Sequence, residues 1–497
     1  MVLLAMVTVI CHSPDQVYAI ELESHIQLLL RGHDLGQTTV SIMAMDADSG
    51  KPLVEVNPDQ QMIPASNMKL ITTTAALDML GPEFMFRTVL SLLKPKLESE
   101  GHSLRILADG DPAFCDPVLL NQHGLVVDDV LNQWLDAIEA TGIKNFNNLI
   151  IDDRVFDYEF VHPSWPAEQL HKHYCAEVAG LNFYENCLDI APIPNEQRGL
   201  SPKIVIFPSM PFINTANRAT TGTRDQFAID RKPGTNYLIF SGQVRNRPNL
   251  PYQVTLHDPP MMFARMFEHR LAERNIHINQ IVRPGENDPM PEGKMLHVVQ
   301  TALPLVIQRC NQDSQNMFAE ALFKRMGRSI TGMPGSWENG VAAIRIFLHH
   351  RMGSRSAAIS IADGSGMSRD NRVTARLLTE LMFEFYKDRQ IWPIFRDSLA
   401  QGCVSGTLQK RFDKISGKVY GKSGYLQGVS SLSGYLIMPD HPAGDEMPSV
   451  ITFSMMFNGF SAPMNNTRLK EIQEKIIQMI EEAFTQPTAN TLNQIGG

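Results

Sequence analysis

The sequence predicts a mixed α/β protein of the α+β kind, in about three structural units. Three observations support this. The chain has 497 residues, where roughly 150 is the ordinary allotment per domain. Hydrophobic residues make up 43% and charged residues 20%, with 33 Gly and 31 Pro, a composition that builds a core and excludes disordered, collagenous and coiled-coil chains. Helical and strand periodicities also sort into blocks, with helical runs towards both ends and short strand-like runs between them.

The elements follow in order. Met1 to Ile10 is apolar, and Val17-Tyr18-Ala19 sets small residues ahead of Ile20, so residues 1–19 read as an export signal. No Lys or Arg precedes that run, and its other reading is a buried N-terminal strand. Glu21 to Leu30 carries helical periodicity. Thr38 to Met45 and Pro52 to Val56 flank a turn at Asp46–Gly50 and read as a hairpin. Asn67 to Leu80 is an apolar helix stopped by Gly81-Pro82, with Ser66 at its start. From about Thr88 to Pro291 the texture is β-rich, with runs such as Leu149 to Ile151, Ile204 to Phe207, Tyr237 to Ser241 and Tyr252 to Leu256. Within that stretch Pro259 to Arg274 has a helical period. Helices return from Leu303, over Asn316 to Met326, Val341 to His350 and Thr374 to Tyr386. Strands around Tyr420 to Met438 and Val450 to Asn458 precede a last helix, Asn465 to Phe484. Its Leu469, Ile472, Ile476, Ile480 and Ala483 form one apolar face for packing on a sheet.

Lys+Arg number 44 and Asp+Glu 53, a net charge of −9 that disfavours nucleic acid as a partner. No apolar run long enough for a transmembrane helix follows the first residues. Six cysteines exclude a disulfide scaffold; Cys175 and Cys187 read either as one local bridge in an oxidising compartment or as two small buried hydrophobes. His171, His173 and Cys175 lack a fourth ligand at a metal-binding spacing and read as loop residues, so neither metal nor cofactor is expected.

Three short patterns carry chemistry: Ser66-Asn67-Met68-Lys69 (S-x-x-K), Ser314-Gln315-Asn316 (S-x-N) and Lys422-Ser423-Gly424 (K-[ST]-G). Each alone is weak. A second S-x-x-K at Ser91 to Lys94 lies on a strand-like run, whereas Ser66 and Lys69 share one face of a helix start, where free N–H groups favour developing negative charge. Ser66 is the expected nucleophile and Lys69 its base, once burial and a second cation, Lys422, lower the ordinary lysine pKa of about 10.4. Ser314 is expected to relay a proton to the leaving amine. Asn316 is expected to orient Lys69 with one end of its amide and hold the substrate with the other. Lys422 and Ser423 are expected to bind a terminal carboxylate, and Gly424 to let the substrate backbone approach. The N–H groups of Ser66 and Tyr425 are the expected oxyanion hole.

With these motifs, Gly110-Asp111-Pro112, Pro163-Ser164-Trp165-Pro166, Asn186-Cys187, the run from Asp363 to Thr374 and Gly428 to Gly434, the chain resembles the class C low-molecular-mass penicillin-binding proteins. These are D-alanyl-D-alanine carboxypeptidase/endopeptidases of the penicillin-binding protein 4 type. The resemblance implies a transpeptidase/β-lactamase-like catalytic domain, an antiparallel sheet flanked by helices, formed by residues 20–87 and 293–497. It implies an inserted accessory domain at 88–195 and 258–292 with a second β-rich domain, 196–257, nested inside it. The 245 residues from Lys69 to Ser314 match such an insertion. Also implied are a periplasmic serine DD-peptidase acting on peptidoglycan stem peptides, covalent capture of β-lactams, loose membrane association and a homodimer. An acidic residue of the insertion near the site is implied too, for the amino group of diaminopimelate; Asp152 best matches it, with the adjacent Asp153 as alternative. Two departures stand out: Ser423 where Thr is usual, and Tyr425 where a small residue is more common. The competing readings are a β-lactamase, for which no motif assigns a water-activating carboxylate, and a catalytically silent cell-wall scaffold, against which all motif side chains are present.

Overall fold

The computed structural model describes residues 14–95, 101–289, 292–356, 359–439 and 449–485. Residues 1–13 of the expected export signal lie outside the described residues, and the expected cut after Ala19 falls inside helix α1 (Pro14–Arg31). The chain then runs through β1 (Thr39–Asp46) and β2 (Pro52–Val56), and through a 3₁₀ turn at Ala65–Asn67 into α2 (Met68–Leu80). Ten consecutive residues of α2, Met68 to Leu77, are buried, as befits a helix without a polar face.

A separate unit begins at β3 (Met85–Leu93) and β4 (Ser103–Ala108), followed by α3 (Pro117–Gln122), α4 (Val127–Glu139) and β5 (Asn145–Asp152). Short strands come next: β6 (Cys187–Ile193), β7 (Lys203–Phe207), β8 (Thr215–Asn217), β9 (Thr220–Thr221), β10 (Ala228–Arg231), β11 (Leu238–Ser241), β12 (Gln243–Val244) and β13 (Tyr252–Thr255). The unit closes with α5 (Pro259–Glu273), β14 (His277–Val282) and β15 (Lys294–Ala302). A five-stranded sheet in the order β14-β5-β4-β3-β15 is its frame. Helix α4 was hidden in a stretch that reads as β-rich; Val127, Val130, Leu131, Trp134, Leu135 and Ile138 are its buried stripe, at helical spacing. The expected boundaries also shift. The sheet takes in β3 from Met85 and β15 through Ala302, so both junctions at 87/88 and 292/293 cut into or leave out strands of one sheet. The nested segment has no core of its own: Leu238, Phe240 and Val254 belong to one apolar cluster with Leu90, Trp134 and Phe263.

After β15 come α6 (Leu303–Gln312), α7 (Asn316–Thr331), α8 (Trp337–Met352), α9 (Ala375–Lys387) and α10 (Trp392–Ser398). Then β16 (Ala400–Gln401), β17 (Lys418–Leu426), β18 (Val429–Ile437), β19 (Val450–Asn458) and α11 (Asn466–Thr485) end the described chain. Strands from both ends of the sequence form one antiparallel sheet, β16-β17-β18-β19-β1-β2, with Thr39 opposite Asn458 and Asp46 opposite Ile451. Strand alternation splits its side chains between two layers. Ile42 and Ala44 pack with Leu22 of α1 and Ile476 of α11, while Met43 and Met45 face the cluster of α2 and α6 to α9. Among the described residues no helix is long and apolar enough to cross a membrane. Cys175 and Cys187 are both buried and free, which selects the buried-hydrophobe reading of that pair.

Trp134 packs against Phe114, Phe263 and Phe267 at centroid distances of 5.4 to 6.3 Å. Trp134→Ala is expected to destabilise the inserted unit by about 3–5 kcal/mol, read as a lower guanidinium midpoint at unchanged slope.

Candidate active site

Ser66 lies in the 3₁₀ turn that runs straight into α2, after Ala65 at φ +47°. A left-handed alanine costs about 1–2 kcal/mol and persists only where neighbours hold it. Two neighbours hold it: the Ser431 hydroxyl donates to the Pro64 carbonyl at 2.7 Å, and Gly366, at φ +81°, sits so close that a Cβ there would strike the Ala65 carbonyl. The run Asp363 to Thr374 thus reaches under the turn that carries Ser66. Its Thr374 caps α9, accepting from Leu377 N.

Lys69 is fully buried. Its Nζ lies 3.1 Å from Ser66 Oγ and donates to Asn316 Oδ1 at 2.6 Å and to the Ser365 carbonyl at 2.9 Å. All three atoms are neutral. Burial therefore pulls the Lys69 pKa down to about 8, against the weaker pull of charges farther off. With two hydrogens committed, the amine's remaining position, a lone pair in the neutral form, faces the Ser66 hydroxyl.

The S-x-N turn between α6 and α7 puts Ser314 at φ +61°. Contacts on both sides hold it: Arg309 pairs with Asp313 and with Glu185 of the inserted unit, and Gln315 Nε2 donates to Glu185 at 3.1 Å. Asn316 opens α7. Its Oδ1 serves Lys69 as expected, but its Nδ2 donates to the Tyr174 carbonyl of the inserted unit at 2.8 Å. That nitrogen was expected to hold substrate; one of its hydrogens is occupied by the protein.

On β17, Lys422 departs from its expected place. It is fully buried, donating to Ser314 Oγ at 2.9 Å and to the Ser423 carbonyl at 2.7 Å, so its ammonium does not stand in the cleft for a carboxylate. Burial, and then the charge of Lys69, push its pKa well down. The repulsion expected to act on Lys69 thus falls on Lys422. The Ser423 hydroxyl does face the open side, donating to Thr407 Oγ1 at 2.8 Å; no motif marked Thr407. Gly424 also has a different reason from the expected one. A Cβ would collide with the Ser431 hydroxyl and come within 2.9 Å of Ser66 N, so the glycine lets β17 close against the Ser66 turn. Tyr425 is 56% exposed and packs away from the core.

Asp152 is not brought to this group. It is 2% exposed, and both its oxygens accept from Arg154, each at 2.8 Å. It lines a cleft with Arg87, Asp109 and Arg325 in which none of Ser66, Lys69, Ser314 or Lys422 takes part. Asp153 is buried beside Arg283 at 3.3 Å. The two carboxylates end a strand of the inserted sheet, and local arginines claim them there.

An antiparallel sheet with helices on both faces, and a serine–lysine pair where a buried helix meets its edge, define a penicillin-recognising serine hydrolase. Residues 22–483 match the D-Ala-D-Ala carboxypeptidase 3 (S13) family, and the chain belongs to that family. It is similar to the D-alanyl-D-alanine carboxypeptidase of an Actinomadura species, 26% identical over 89% of this chain and 82% of the relative. Among solved structures it is similar to penicillin binding protein 4 from Haemophilus influenzae, with a TM-score of 0.75 at 21% identity, over 92% of this chain and 99% of that one. A penicillin G-acylated predatory endopeptidase from Bdellovibrio bacteriovorus also shares the fold, with a TM-score of 0.51 at 14% identity, over 91% and 95% of the two chains.

Two outcomes are expected. Gly424→Ala displaces the Ser66 turn and lowers the acylation rate by about 100-fold or more while the melting temperature moves little, checked by stopped-flow labelling with a fluorescent penicillin. With Lys69 as the expected base, the acylation rate is expected to rise with pH through a midpoint near 8 and fall away on the acidic side.

Proposed function

We propose that the protein is a periplasmic DD-peptidase that cleaves D-alanyl amides of peptidoglycan stem peptides through an acyl-enzyme on Ser66. The observation that carries this is Lys69 Nζ, held by two neutral acceptors with its third position on Ser66 Oγ. In the proposed sequence the Ser66 O–H proton passes to Lys69 Nζ as Oγ bonds to the amide carbon. The oxyanion meets the N–H groups of Ser66 and Tyr425. The C–N bond then breaks and the leaving amine takes a proton from Ser314, whose Oγ takes one in turn from the Lys422 ammonium 2.9 Å away. Lys422 donates to Ser314 Oγ, which leaves the serine's own hydrogen free to point at that nitrogen. Water then bonds to the acyl carbon and gives up a proton through Ser314 to Lys422, while Lys69 returns its proton to Ser66 Oγ as the ester C–O bond breaks.

The Ser423 and Thr407 hydroxyls, paired on the open side of β17, are assigned to the substrate's terminal carboxylate. Asp152 is given no part, since Arg154 already satisfies it. Penicillin, whose strained amide presents the same carbonyl and carboxylate, acylates Ser66 in this reading. Among the described residues no carboxylate is hydrogen-bonded to Lys69, and the nearby Glu320 and Asp363 are taken up by amides and side chains, so neither is assigned to activating a deacylating water and the penicillin adduct is expected to decay slowly. This favours the peptidase over a β-lactamase.

Incubation with uncrosslinked and crosslinked muropeptides, with mass analysis of the products, tests the proposal and separates carboxypeptidase from endopeptidase action. Released D-alanine and a persistent penicillin adduct are expected, both lost in Ser66→Ala; unchanged muropeptides with wild-type protein would sink the reading. Ser423→Ala combined with Thr407→Val is expected to raise KM for a D-Ala-D-Ala peptide by about tenfold with kcat largely kept, the signature of lost ground-state binding.

A further inference from the structure

Glu320 has no task in the reaction outlined above, yet its carboxylate is fully buried. It lies on α7, one turn beyond Asn316 and on the same face. Its Oε1 accepts from Ser365 N at 2.7 Å, and its Oε2 from Gly364 N at 3.0 Å and Trp337 Nε1 at 2.9 Å. A buried carboxylate is sustained only by such donors, and two of these are consecutive amides of one loop. The carbonyl side of the same loop faces α2. Ser365 O accepts from Lys69 Nζ at 2.9 Å, and Gly364 O from Thr72 Oγ1 at 2.7 Å. Helix α7 therefore reaches Lys69 twice: directly through Asn316 Oδ1, and indirectly through Glu320 and the loop it grips.

We propose that Glu320 is a positioning residue for the base. It fixes the Gly364-Ser365 amides so that the Ser365 carbonyl holds the Lys69 amine towards Ser66, and it presents a negative charge to that amine. This rests on the Ser66–Lys69 reading above.

The surrounding ionisable groups set the expected pH behaviour. Lys69 from α2, Cys310 from α6, Lys324 from α7 and Asp363 from the loop surround Glu320; Lys422 from β17 faces Lys69, and His162 of the inserted unit faces Asp363. Burial pushes the Cys310 thiol up to about 12, so it stays neutral. Burial, and then the Asp363 charge, raise Glu320 above the usual carboxylate range. The Glu320 anion in turn supports the ammonium form of Lys69, opposing burial.

The test follows acylation by a fluorescent penicillin and D-alanine release from a pentapeptide across the Lys69 titration, in wild type, Glu320→Gln and Glu320→Asp. Glu320→Gln removes the charge and one acceptor at constant volume. Acylation is expected to slow by about tenfold, and the acidic limb of the profile to move to lower pH by about half to one unit, because the ammonium loses a neighbouring anion. Glu320→Asp keeps the charge one methylene short of both amides; acylation slows while the limb stays in place. A merely structural role lowers the melting temperature and leaves the acidic limb unmoved in both variants. An unmoved limb in Glu320→Gln, or wild-type rates in either variant, overturns the proposal. Should Glu320→Gln not fold, Glu320→Asp decides it: slowed acylation with the limb in place and the melting temperature kept supports it, while a wild-type rate, or slowing that comes with a lowered melting temperature, overturns it. Wild-type protein that neither takes up penicillin nor releases D-alanine overturns the underlying reading instead.

Discussion

Two lysine amines share one dry site, and among the described residues the atoms bonded to them are neutral acceptors, with the nearest carboxylates kept off the amines. Lys69 and Lys422 are both fully buried, and their hydrogens go to hydroxyl, amide and backbone oxygens alone among the bonds described. A carboxylate bonded to Lys69 would hold it as an ammonium and remove the base that the proposed acylation needs. The buried acids nearby are instead engaged elsewhere: Glu320 on two loop amides and Trp337, Asp363 on the Gly366 and Ser368 amides, Trp165 and Asn371. They act on the lysines through space and through the loop they hold.

Meeting that condition takes four stretches of chain far apart in sequence. Ser66 and Lys69 come from the start of α2, Asn316 from α7, Ser365 from a loop and Lys422 from β17. The sheet makes this feasible because its strands come from both ends of the described chain, which brings β17 against the Ser66 turn. The inserted unit also contributes: the Tyr174 carbonyl holds Asn316, and Glu185 holds both Arg309 and Gln315. Orientation of the Lys69 partner therefore depends on a unit that supplies no reacting atom.

What could be read from the sequence follows the range of the interactions. The hairpin, α2, the last helix and its apolar face, and the Ser66–Lys69 spacing are local patterns, and each is visible in a few adjacent residues. Helix α4 was not read, because its buried stripe sits among short strand-like runs that dominate any window. The order of the three motifs pointed to one site, but the contacts inside it are non-local. Nothing in Lys-Ser-Gly says that the lysine turns inward to Ser314 while the serine meets Thr407. Asp152 was placed by analogy of position; Arg154, two residues on, decides where its charge goes. Glu320 belongs to no motif, and Ser365, although inside the run from Asp363 to Thr374, meets Lys69 through a carbonyl that any residue has.

The pairing of β1 with β19 has a consequence for how the molecule comes into being. Residues 39–46 are made early, but their hydrogen-bonding partners, 451–458, are among the last of the described chain. At about 5–20 residues per second, ribosomal synthesis leaves that strand without its neighbour for roughly 20–80 seconds. Through that interval Ile42, Met43 and Ala44 are an apolar strand edge open to any passing β-strand, while the inserted unit can already close its own sheet. The nascent chain is thus half folded and half adhesive, and its yield in a cell should depend on whatever shields that first strand until the last one arrives.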